Sequence, residues 1–111
     1  MTQPQDDRST VREMMADVAP RLADITNEVV VDQLWGHDDL SPRDRSFVTV
    51  AALTALYRTD QLKAHIGRAL DNGVTREEIG AIITHMAAYA GWPTAVNAVT
   101  VAREVYEERD G

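Results

Sequence analysis

Apolar residues recur at helical spacing along almost the whole chain, and the clearest run lies between Leu62 and Pro93. The spacing predicts a helix from Asp60 to Asp71. Asn72-Gly73 then stops it, because glycine tolerates the left-handed backbone that closes a helix. Thr75 restarts the chain with Glu78 three residues on, the pattern of a reciprocal cap at a helix start. Ile79, Ile82, Ile83 and Met86 continue at helical spacing. Gly91 ends that helix, and Trp92-Pro93 opens another, since proline is accepted at a first helical position. The last helix is expected from Pro93 to about Glu108, with EERDG as a frayed charged tail.

Upstream the pattern is less regular. Residues 1–8 read as a flexible polar tail, and 9–111 as a single all-helical domain. Thr10 and Glu13 suggest a cap for a helix carrying Val11, Met14, Met15 and Val18. Pro20 must end or kink that helix at Ala19, because proline lacks a donor and its ring clashes with the preceding turn. Leu22, Ile25, Val29 and Leu34 then predict a further helix, although three consecutive valines, Val29 to Val31, would also suit a strand. Ser41-Pro42-Arg43-Asp44 starts the next helix with a cap, a proline and an acid in the first turn. From Phe47 to Leu56 it is apolar or small on every side, so every side should be covered. In a chain of 111 residues that points to another subunit. The fold class is all-α: a bundle of five or six helices assembled into a homotrimer or homohexamer.

Composition narrows the function classes. The net charge of −7 argues against nucleic acid and anionic membrane surfaces as partners. The absence of cysteine removes disulfides, thiolate chemistry and cysteine-rich zinc sites. No apolar run approaches the roughly 20 residues that span a bilayer. The polar N-terminus does not resemble a signal peptide, so a cytoplasmic location is expected.

Two histidines carry the candidate chemistry. His65 shares a helix side with Leu62 and Ala69, pointing it at the core or a cleft. It suits a general acid or base; a packed histidine bonded to a carbonyl or carboxylate is the competing account. His85 lies on one stripe with Glu78 and Tyr89, as a second proton donor, a pocket wall or an amphipathic edge residue. No metal is expected, because neither histidine has a ligating partner at metal spacing. Arg45, in a first turn where the helix dipole disfavours cations, suits a carboxylate ligand. A salt bridge to Asp38, Asp39 or Asp44 would equally explain it. Arg58 and Arg68 have weaker claims. Tyr89 and Trp92 could cap a substrate pocket or simply plug a helix junction. The stretch ALDNGVTREEIGAIITHM also has the look of a helix-turn-helix. Its second helix offers only Arg76 against Glu77 and Glu78, which does not suit phosphates.

The runs LSPRDRSFVTVAALTAL, QLKAHIGRALDNGVTREEI and HMAAYAGWPTAVNAVTVAREV together resemble the carboxymuconolactone decarboxylase family, of the alkylhydroperoxidase D-like superfamily. The combination H-x-x-x-A-L-x-N-G-V-T-x-E-E-I with Y-A-G-x-P-x-A-x-N-A carries the resemblance, over about Leu34 to Tyr106. It implies helical subunits in trimers, often paired into hexamers, with sites near subunit contacts. The peroxidase branch has two cysteines and a glutamate where this chain has Arg58, Gln61 and Ser46. The resemblance therefore implies the decarboxylase branch: a lyase without cofactor, acting on a small γ-carboxylated lactone. The expected assignment has His65 as the acid that protonates carbon. His85 and Tyr89 polarise or position the lactone, Arg45 seats a carboxylate, and Trp92 lines the pocket. Related catalysis on another small carbonyl compound, and a non-catalytic oligomeric ligand binder, are the alternatives.

Overall fold

A computed structural model describes residues 4–111 of the chain. Among the described residues there are six α-helices, one π-helical segment and no strand. The chain divides into two compact units, residues 1–42 and 43–111.

The first unit holds α1 (Pro4–Met15), α2 (Pro20–Ile25) and a π-helical segment (Thr26–Trp35) that continues directly from α2. Helix α1 runs from Pro4, so Thr10 lies inside it rather than at its start. A proline fits a first helical position, where its missing donor is no loss. Arg8, within the early turns, pairs with Asp32 and donates to the Asn27 carbonyl at 3.4 Å. Residues 4–8 of the expected tail are thus helical; residues 1–3 lie outside the described residues. The helix expected to reach Ala19 ends earlier, at Met15, and Pro20 opens α2. The triple valine is helical, but in the wider π register. Ala23, Asn27 and Val31 form the buried side of this unit. The amide nitrogen of Asn27 donates to the Arg8 carbonyl at 3.3 Å, which pairs that donor in a small core. The segment ends at Gly36, where an added Cβ would stand 2.3 Å from the Asp32 carbonyl oxygen. Only glycine fits that approach.

The second unit holds α3 (Pro42–Ala55, its first residue at the division), α4 (Thr59–Asp71), α5 (Arg76–Ala90) and α6 (Trp92–Asp110). Helix α6 packs closely on both α4 and α5. Its inner stripe is Ala95, Ala98 and Ala102, small enough for backbones to approach, with Val101 and Val105 filling the space beyond. Opposite them lie Leu62 and Ile66 of α4, and Ile79, Ile82 and Ile83 of α5. Val50 of α3 completes the core, and burying a side chain of this kind stabilises by about 2 kcal/mol. The buried hydroxyl of Thr54 donates to the Val50 carbonyl at 2.8 Å, so it carries no unmet bond.

The expected cap at Thr75 is present in both directions. The Glu78 amide donates to Thr75 Oγ1, and the Thr75 amide donates to Glu78 Oε1, each at 3.0 Å. The charged C-terminal segment is not frayed. Helix α6 runs on to Asp110, whose carboxylate accepts two bonds from Arg76 at 2.6 and 3.1 Å. Arg109 pairs with Asp71 at 2.8 Å, and Glu108 with Lys63 at 2.8 Å. These charges tie α6 to α4 and α5.

Helix α3 has the uncovered side that its pattern foretold. Val48 is 56% exposed, and Leu56, just past the end of the helix, 64%.

Candidate active site on α4

Helix α4 separates two kinds of residue. Leu62, Ile66 and Ala69 go into the core. Gln61, His65, Arg68 and Asn72 follow one another at helical spacing on a second stripe. The amide of Asn72 donates to Ser46 Oγ of α3 at 3.0 Å, so the Asn72 end of this stripe reaches α3. Ser46 is fully buried and Arg45, beside it, is 6% exposed. One hydrogen bond thus links the end of α4 to α3.

His65 is half-buried in this stripe. Burial lowers its pKa to about 4, and the positive charge of Arg68 adds to the effect. The imidazole is neutral at pH 7. Neutral, it offers one donor and one acceptor rather than an acidic proton.

The structure brings His85 and Tyr89 together on α5. Their rings stand 4.9 Å apart at 35°. Both are exposed, Tyr89 by 77%, and so is Trp92 at the start of α6, by 70%. Glu78, placed on the same stripe by its spacing, instead caps α5 and pairs with Arg43. That contact, with the Thr75 bonds, holds its carboxyl below the usual range. Arg43 thus carries an ion pair in the first turn of α3, while Arg45 is buried.

Two clefts in this unit lie elsewhere. One of about 250 Å³ opens between Gly80 and Ile83 of α5 and Val99, Arg103 and Tyr106 of α6. Another of about 420 Å³ lies between Lys63 and Gly67 of α4 and Val105 and Glu108 of α6. Neither is lined by His65, His85, Tyr89 or Trp92. Neither histidine is sealed in the core. Among the described residues no group of three or more histidines and carboxylates could hold a metal, and no helix is long and apolar enough to cross a membrane.

The profile of the carboxymuconolactone decarboxylase family matches residues 20–104, and the chain belongs to that family. A 4-carboxymuconolactone decarboxylase of Acinetobacter baylyi is 38% identical over 76 residues, covering 68% of this chain and 57% of that protein. A nitrosuccinic acid decarboxylase of Metarhizium robertsii is 27% identical over 85 residues, covering 73% and 59%. An uncharacterized 15.0 kDa protein of Paracoccus denitrificans is 26% identical over 98 residues, covering 86% and 73%. The chain spans less than two thirds of the length of the first two relatives.

Proposed function

We propose that this chain is a cofactor-free carboxy-lyase that converts a small γ-carboxylated lactone to its enol-lactone. The observation that carries the reading is the half-buried neutral imidazole of His65 on the polar stripe of α4, in a chain of this family.

The reaction needs an electron sink, not a redox group. The bond between the γ-carbon and its carboxylate breaks, and CO₂ leaves. The electron pair passes through the conjugated alkene onto the lactone oxygen as a dienolate. A proton then adds to carbon, which balances the step. His65 is the group assigned to deliver it. In the empty site His65 is neutral. A bound dicarboxylate brings negative charge beside it, which favours the imidazolium. The acid is thus prepared by the substrate that uses it.

His85 with Tyr89 would position or polarise the lactone oxygen, with Trp92 as an apolar wall. All three lie on the surface of the single chain, so enclosing them requires a neighbour. The exposed Val48, Leu56, Val96 and Trp92 support assembly of identical copies, as a trimer or hexamer. Light scattering would then give three or six times 12.3 kDa; a stable lone chain contradicts this part. The burial of Arg45 leaves carboxylate seating to a residue nearer the surface.

A second reading keeps the site and changes the sink. In nitrosuccinic acid, the compound in one relative's name, a nitro group can hold the electron pair as a nitronate. The test is CO₂ release from a panel containing 4-carboxymuconolactone and nitrosuccinate, with enzyme pretreated with chelator. Release from the lactone supports the first reading, release from nitrosuccinate alone the second. No release from any member overturns both.

A further inference from the structure

Gly80 lies inside α5, where an isolated glycine weakens a helix. A close neighbour would explain it, but a Cβ added at Gly80 would meet nothing within 4 Å. The missing side chain instead leaves open part of the cleft of about 250 Å³ between α5 and α6. Ile83, Val99 and Ala102 give that cleft aliphatic walls, and half-buried Tyr106 joins them. Two guanidinium groups line it as well. Arg76 is committed: it donates twice to Asp110 and lies over the Tyr106 ring at 4.6 Å. Arg103 is exposed and, among the described residues, makes no ion pair or side-chain hydrogen bond. The cleft therefore holds one unmatched positive charge in a chain whose net charge is −7. The cations of the cleft between α4 and α6 are both paired, Lys63 with Glu108 and Arg109 with Asp71.

We propose that the α5–α6 cleft binds a small apolar monocarboxylate, its carboxylate on Arg103 and its hydrocarbon body against Ile83, Val99 and Ala102, in the space that Gly80 leaves. This site lies apart from His65 and does not depend on the decarboxylase reading. Charge and size set the ligand class. One free guanidinium fork matches one carboxylate through two parallel bonds. A second carboxylate would lie against aliphatic walls without a cation, which costs free energy. An uncharged body of the same size gains only the burial of its apolar surface. Drug-sized pockets run from roughly 300 to 1,000 Å³. About 250 Å³ falls just below them and suits an acid with a single ring.

Benzoate is the probe, with benzyl alcohol, phthalate and acetate beside it. The ring signals of Tyr106 would be followed by NMR as each is added to the native protein. Wild type, Gly80→Leu, Arg103→Gln and His65→Ala would be compared. Leucine is the better helix former at position 80, and its Cβ meets no clash, so that variant should fold. Wild type is expected to bind benzoate roughly tenfold more tightly than any of the other three compounds, with Tyr106 signals moving. Gly80→Leu should abolish the response by filling the cleft. Arg103→Gln should weaken benzoate roughly tenfold, to the level of benzyl alcohol. His65→Ala should bind as wild type does. Benzoate that leaves Tyr106 unmoved, as when another copy covers the cleft, overturns the proposal. So does benzyl alcohol binding as tightly as benzoate. Binding lost in His65→Ala but kept in Gly80→Leu would place the acid at the imidazole and overturn it too.

Discussion

The side-chain amide of Asn97 on α6 donates to the phenol oxygen of Tyr57 at 3.1 Å, tying α6 to the residue that closes α3. Tyr57 sits in the left-handed region at φ 59°, the one such non-glycine among the described residues. Its amide donates to the Thr54 carbonyl at 3.2 Å, and that of Arg58 to Leu53 at 3.0 Å. The same two-bond closure ends α4, with Gly73 to Leu70 at 3.2 Å and Val74 to Ala69 at 2.9 Å. There the left-handed residue is glycine, at φ 98°. One chain thus uses one turn twice, once with the favoured residue and once against preference.

Opposite signs follow for two substitutions. Tyr57→Gly relieves the backbone and loses one exposed bond, so it should be neutral or stabilising by up to about 1 kcal/mol. Gly73→Ala should destabilise by about 1 kcal/mol. Urea unfolding of the two variants checks this. A Tyr57→Gly variant that is the less stable of the pair would show that the phenol contact outweighs the strain.

His65 makes stability depend on pH. Its folded pKa, about 4, lies below the ordinary 6.5. The unfolded chain therefore takes up this proton first as pH falls. The contribution is fully present above about 6.5, declines from there, and is gone below about 4, a total of no more than about 3 kcal/mol. His65→Asn should flatten that segment of the stability curve while carboxylate-driven loss at lower pH persists. Identical curves for the two proteins would remove His65 as the cause.

The same pKa predicts how turnover responds to pH. If the imidazolium is the acid, kcat/KM reports the empty site and should decline as pH rises from about 4. The bound carboxylates raise the pKa in the complex, so kcat should hold to higher pH. A kcat/KM that instead falls on acidification through pH 4 would assign His65 to the neutral form, as a base or hydrogen-bond donor.

The sequence showed the second unit well because its signals are local. The Thr75–Glu78 cap, the Asn72-Gly73 stop and the Gly91-Trp92-Pro93 restart each depend on a few adjacent residues, and each element begins and ends close to its expected place. The tail after Glu108 was misread because its order comes from Arg76 and Asp71, far away in sequence. Thr10 was misread as a cap because nothing local says that the helix has already begun at Pro4. The π register of Thr26–Trp35 carries no period that distinguishes it from an ordinary helix at this length. At the site, spacing placed His65 beside the core and paired His85 with Tyr89. It gave no sign that Arg45 would be buried, since that burial comes from tertiary packing rather than from neighbours in sequence.

The central claim is that the His65 imidazole delivers the proton that completes decarboxylation. The most direct measurement is CO₂ release from 4-carboxymuconolactone by wild type and His65→Ala, with far-ultraviolet dichroism and native mass matched between them. The account predicts turnover by wild type and a loss of roughly 100-fold or more in the variant, with fold and assembly unchanged. Equal rates in the two proteins would contradict it.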